Sequence, residues 1–122
     1  MVNALLVFLG GGLGSLARYG ISKIVMANFQ TNFPLATFLA NSISCIILAI
    51  TVFYFQPKYS IDNSTKLFIA SGVCGGFSTF STFSFETFEL FKTGYTLLAV
   101  ANILLSMLVC LGLIYFISRA NQ

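Results

Sequence analysis

Histidine and tryptophan are absent from this sequence, and its only acidic residues are Asp62, Glu86 and Glu89. Without an imidazole, and with no nucleophile placed beside a base, the chain offers no arrangement for acid–base or covalent catalysis, so an enzyme is not expected. Basic residues are scattered singly and give a formal charge of +3, too sparse for the clustered face that binds nucleic acid. Charged residues of both signs make up 7% of the chain against 57% hydrophobic ones, too few to coat a water-soluble domain of this size. Cysteine is also scarce. Cys45, Cys74 and Cys110 are far apart in sequence, each within an apolar stretch, which suits neither a disulfide framework nor a metal site and reads as packing.

What fills the chain instead is apolar sequence. Charges are missing from 1–17, 24–57, 67–85 and 93–118, and a membrane-spanning helix needs about 20 mostly apolar residues. The pattern predicts one all-α transmembrane domain over 1–122, with four spans near 3–29, 34–55, 66–91 and 95–117. No basic segment precedes the first apolar run, which continues past Arg18, and this argues against a cleaved signal peptide. If the spans alternate in direction, Lys58, Lys66 and Arg119 face one side and Lys23 and Lys92 the other. So weak a bias gives the positive-inside rule little to act on, and insertion in both orientations stands beside a fixed topology set by Arg18. Four short helices cannot enclose an aqueous path and still pack together, so transport would call for an oligomer, for which two antiparallel copies are a closed solution.

Three features carry the functional reading. The first span holds Gly10-Gly11-Gly12-Leu13-Gly14, whose Gly10 and Gly14 form a small-xxx-small pair for close helix approach; a phosphate-binding loop is excluded because no Lys-Ser or Lys-Thr follows. In the third span, Gly75-Gly76 leads into Phe77-Ser78-Thr79-Phe80-Ser81-Thr82-Phe83-Ser84, a poor helix former in which a local break is expected. Carbonyls freed there need protein or a bound ion as partner. Phe80 and Phe83, three apart, share a face, and phenyl edges with hydroxyl and amide donors can stabilise a dehydrated anion without trapping it; the competing reading is packing. Thr37, Asn41 and Ser44 make a polar stripe on the second span, and Asn102 and Ser106 lie four apart on the fourth; pathway and interhelical glue both remain open for them. Arg18, a charge inside a span, is expected to pair with Glu86 or to snorkel to an interface.

These residues resemble the CrcB/Fluc fluoride channels, small membrane proteins with four spans per chain. The similarity rests on the glycine-rich start leading to Arg18-Tyr19, on Pro34 and Asn41, and on the block Gly75 to Ser84 with Glu86. Ser78, Ala36, Ser44 and Asn102 depart from the family pattern, which more often has Thr, Gly, Gly and Tyr at these positions. The resemblance implies an antiparallel, dual-topology homodimer in the cell membrane with two fluoride pores, exporting fluoride down its electrochemical gradient to relieve toxicity. It implies that Phe80, Phe83 and Asn41 meet the ion, that Ser81, Thr82 and Ser106 extend the path, and that Asn102 lies on its wall. It further implies a structural sodium ion on the carbonyls of Gly75 and Ser78, with Gly76, Arg18 and Glu86 in structural roles. Two rivals are a small four-helix proton-coupled exporter, which would want a membrane-embedded carboxylate that the first span lacks, and a passive assembly subunit.

Overall fold

The computed structural model describes residues 1–121 and is helical apart from short connections. We number the helices α1 (Val2–Asn28), α2 (Leu35–Tyr59), α3 (residues 63–77), α4 (Phe80–Lys92) and α5 (Thr96–Ala120). Four helical runs are long and apolar enough to cross a membrane, the third being α3 and α4 together over Asn63–Lys92. The chain is a multi-pass membrane protein.

Local chemistry sets the ends of these helices. Phe33, just before the Pro34 cap position, packs edge-on against Phe38 at 5.8 Å, a hydrophobic staple that fixes how the chain enters α2. Pro57 has no N–H to donate, and a π-helical stretch, Thr51–Phe55, stands immediately before it and loosens the ladder where a bond is lost. Helix α2 therefore passes through the proline and ends at Tyr59, beyond the boundary expected at 55. Asp62 holds the cap position of α3, and the Thr65 hydroxyl donates to its carboxylate and keeps its pKa below the ordinary value. At the far end, Gly94 adopts φ +91°, which allows the Tyr95 N–H to reach back to the Leu90 carbonyl and turns the chain sharply into α5.

The interior is small and polar rather than oily. Thr37, Ser42, Ser44, Thr51, Thr87, Asn102 and Ser106 are buried, alongside small apolar groups such as Ala40, Ala49 and Ala99. Large apolar side chains face outward: Phe8 is 74% exposed, Leu97 83% and Leu108 67%. That inversion fits a lipid surround, where burying apolar area gains nothing and helices associate through close packing and hydrogen bonds.

The closest approach is between α1 and α3. A Cβ placed on Gly14 would sit 2.1 Å from the Val73 carbonyl oxygen, one on Gly10 2.6 Å from that of Phe68, and one on Gly76 2.2 Å from that of Gly11. The glycines interdigitate backbone against backbone, and Gly76 is kept for that contact within a stretch that remains helical over Gly75–Phe77. The extended residues lie further on, at Ser78 (φ −84°, ψ 159°) and Thr79 (φ −154°, ψ 122°), before regular helix resumes at Phe80. A second departure from expectation is the π-helical stretch Leu67–Cys74, which no feature of the sequence had marked.

Substituting Gly14→Ala or Gly76→Ala should each destabilise the protein by about 1–3 kcal/mol, because the methyl group overlaps rigid backbone. Gly112→Ala, with nothing within 4 Å, should leave stability unchanged or raise it slightly. Thermal unfolding in detergent, followed by size-exclusion chromatography, distinguishes the two classes.

Candidate functional site

The two extended residues between α3 and α4 expose backbone groups that a helix would satisfy internally, and neighbouring side chains take them up. Asn41 on α2 accepts from the Thr79 N–H at 2.8 Å and donates through Nδ2 to the Thr79 carbonyl at 3.3 Å. The Thr79 hydroxyl accepts from the Thr82 N–H at 3.2 Å and so caps the start of α4. On the other side, the Cys74 carbonyl accepts from the Ser78 N–H, the Ser78 hydroxyl and the Ser44 hydroxyl. Ser44 is thus glue between α2 and α3, and Asn41 is the clamp that holds α4 in place.

Beside that clamp lies a groove of about 310 Å³ lined by Asn41, Ser78, Thr79, Phe80, Phe83 and Ser106, with Cys45, Cys110 and aliphatic groups of α5 closing its far wall. No charged residue lines it. The Phe80 and Phe83 rings lie 5.8 Å apart at 38°, and Phe80 is 78% exposed on the surface of the chain. A larger cavity of about 570 Å³ opens near the α1–α2 turn and is lined by Arg18, Thr37, Thr82, Glu86 and Glu89 among others. The α2 stripe joins the two spaces, with Thr37 in the charged cavity and Asn41, four residues on, in the uncharged groove.

Most of the residues singled out in the sequence meet at these two spaces, and a few do not. Asn41, Phe80, Phe83, Ser78 and Ser106 share the groove, while Thr82 turns into the charged cavity and Ser81 is exposed, its hydroxyl 3.4 Å from that of Thr79. Asn102 does not line either space. It is 1% exposed, donates to the Thr87 hydroxyl at 2.9 Å and accepts from Ser106 at 3.2 Å, while Thr87 donates to the Phe83 carbonyl. The wall position expected for Asn102 therefore gives way to a bridging role, because its amide is spent tying α5 to α4. Arg18 likewise does not bond Glu86. Its Nε donates to the Gly76 carbonyl at 3.2 Å, near the negative end of the α3 dipole, and Glu86 Oε1 has no partner among the described residues. Gly75 is exposed, and nothing described lies within 4 Å of where its Cβ would be. Thr87 escaped notice in the sequence; the signal was a hydroxyl four residues after Phe83, set between Glu86 and Phe88.

Comparison with known proteins gives a consistent family. The family described as "CrcB-like protein, Camphor Resistance (CrcB)" matches residues 5–117. A protein of Pyrococcus abyssi named "Fluoride-specific ion channel FluC" is 43% identical over 113 residues, 93% of this chain and 90% of that one. Proteins of the same name from Phocaeicola vulgatus and Flavobacterium psychrophilum are 40% and 37% identical, covering 77% and 88% of this chain and 77% and 85% of their own lengths.

Replacing Asn102 by Ala should cost about 1–3 kcal/mol, since Ser106 and Thr87 lose buried partners, as should Asn41→Ala, which strands both Thr79 groups. Thermal melts of the purified variants check both. Reversing Arg18 and Glu86 together should recover no more folded protein than the worse single reversal, since the two side chains are not bonded; recovery in size-exclusion profiles would contradict this geometry.

Proposed function

We propose, since the chain belongs to the CrcB family, that it is a fluoride channel of the cell membrane, passing fluoride outward down its electrochemical gradient. The observation that carries the reading is the uncharged groove in which an amide, hydroxyls and two phenyl rings converge. Its relatives are named as ion channels, so the expected work is transport rather than catalysis. The proton-coupled exporter is not favoured, because no carboxylate lines the groove.

The mechanism follows from what each group can offer. Hydroxyl groups of the larger cavity, such as those of Thr37 and Thr82, can meet a hydrated anion there, beside the Arg18 guanidinium and the carboxylates of Glu86 and Glu89. Thr37 leads on to Asn41, which spends one amide hydrogen on Thr79 and retains another to donate. The Ser106 hydroxyl, donating to Asn102 Oδ1, can turn toward the groove and replace part of the lost hydration. Phenyl edges of Phe80 and Phe83 supply weak positive potential, strong enough to admit a dehydrated anion and too weak to hold it. Thr82 and Ser81 continue the polar lining along α4.

The working unit in this reading is an antiparallel homodimer with two pores. What supports it is the exposure of Phe80, a pathway residue that a second copy would cover, and the near balance of basic residues between the two sides. A structural sodium ion fits the same face. No hydrogen bond from a described residue reaches the Gly75 or Ser78 carbonyl oxygens, and hard oxygen donors suit an alkali cation. Bound there, it would neutralise carbonyl dipoles at the end of α3, with two oxygens from each chain.

Fluoride efflux from liposomes holding the purified protein should exceed chloride efflux, and Phe80→Ile or Phe83→Ile should lower it by about an order of magnitude or more without loss of dimer. No fluoride flux from well-folded dimers would remove the channel reading. Separate C-terminal reporters, one active only inside the cell and one only outside, should both give signal; signal from one alone would remove dual topology but not the channel.

A further inference from the structure

Cys45 and Cys110, far apart in the sequence, line one and the same groove in the fold. Cys45 lies one turn beyond Asn41 on α2, and Cys110 one turn beyond Ser106 on α5, so each projects from the face that carries a groove-lining polar residue. Helices α2 and α5 pack directly together, both thiols are free and half-buried, and both line the 310 Å³ groove with Phe80 and Phe83. Cys74 is engaged elsewhere, buried with its Sγ donating to the Ser44 carbonyl at 3.7 Å.

Packing explains one half-buried cysteine well, but two free thiols lining one groove on directly packed helices offer a pair of soft donors to a single ion. We propose that Cys45 and Cys110 bind thiophilic d10 cations, of the cadmium and copper(I) class, as a two-thiolate site that plugs the groove. Such cations prefer sulfur to the oxygen donors nearby. Binding forms two metal–sulfur bonds as each thiol releases its proton to solvent, with no change of oxidation state, so affinity rises with pH. The groove has no charged group to repel a cation, and its neutral walls leave the metal bound and the anion path closed. The plug rests on the channel reading above, whereas the binding itself does not.

The test uses cadmium on the full-length protein. Ultraviolet thiolate-to-cadmium charge-transfer absorption should titrate to one metal per chain, and fluoride efflux from liposomes should fall at the same concentrations and recover with a chelator. Cys45→Ser and Cys110→Ser should each need about tenfold or more cadmium for the same absorption and for the same fractional block of their own efflux, while Cys74→Ser should respond to cadmium like the parent. Unchanged cadmium response in Cys45→Ser or Cys110→Ser would overturn the site. Stoichiometric absorption with undiminished efflux would overturn the plug. If the untreated protein passes no fluoride, the channel reading fails, and the absorption titration still decides whether the dithiol binds metal.

Discussion

The Asn41 amide clamps both backbone groups of Thr79, and the arrangement of α4 depends on that pair of hydrogen bonds. Two extended residues within a membrane span leave N–H and C=O groups that lipid cannot satisfy, each worth several kcal/mol if orphaned. A carboxamide is the smallest neutral side chain with a donor and an acceptor in one plane, and it answers an extended residue as another strand would. With Thr79 held, its hydroxyl is positioned to cap α4, and Phe80 and Phe83 project from the first turn of a helix whose start is fixed. The same amide that secures the scaffold lines the groove with one hydrogen unspent, so in the proposed channel a structural and a recognition role would fall on one side chain.

A second constraint acts from the opposite side. The glycine contact between α1 and α3 brings Arg18 within reach of the Gly76 carbonyl. In this position the guanidinium faces the partial charges of a helix end and lines a cavity whose wall also carries the carboxylates of Glu86 and Glu89, so acid and base share one space without an Arg18–Glu86 ion pair.

Much of this was legible in the sequence. Spans could be read from the spacing of charges because lipid imposes a length on apolar runs, and the Gly10 and Gly14 contact followed from residue size. Helical periodicity placed Asn41, Ser106 and the phenylalanines on faces of separate spans and left open which faces meet; that they share one site was implied by the family resemblance. That gap explains Asn102 and Ser44: a polar stripe looks the same whether it binds another helix or lines a path, and only the identity of the hydrogen-bond partner separates the two. The same gap hid that Cys45 and Cys110 line one groove. The block from Gly75 to Ser84 was read as a poor helix former, and the extended residues Ser78 and Thr79 lie within it; Gly76 itself stays helical because a tertiary contact that only glycine can make outweighs about 1 kcal/mol of backbone entropy.

Across the interior, stability is assigned to buried hydroxyls and amides and to backbone contact, while the bulky apolar side chains are left for the surroundings. A consequence is that polar groups near the groove are rarely free: Ser106, Asn102, Thr87 and the Phe83 carbonyl form one chain of hydrogen bonds. That chain ends on the backbone of a residue whose ring lines the groove, so the Ser106 hydroxyl and the Phe83 ring are joined through hydrogen bonds. In the proposed channel, turning the Ser106 hydroxyl toward the groove would leave Asn102 Oδ1 without its donor, at a cost of about 1 kcal/mol. A penalty of this size would weaken binding without preventing entry, as a path that must release what it admits requires.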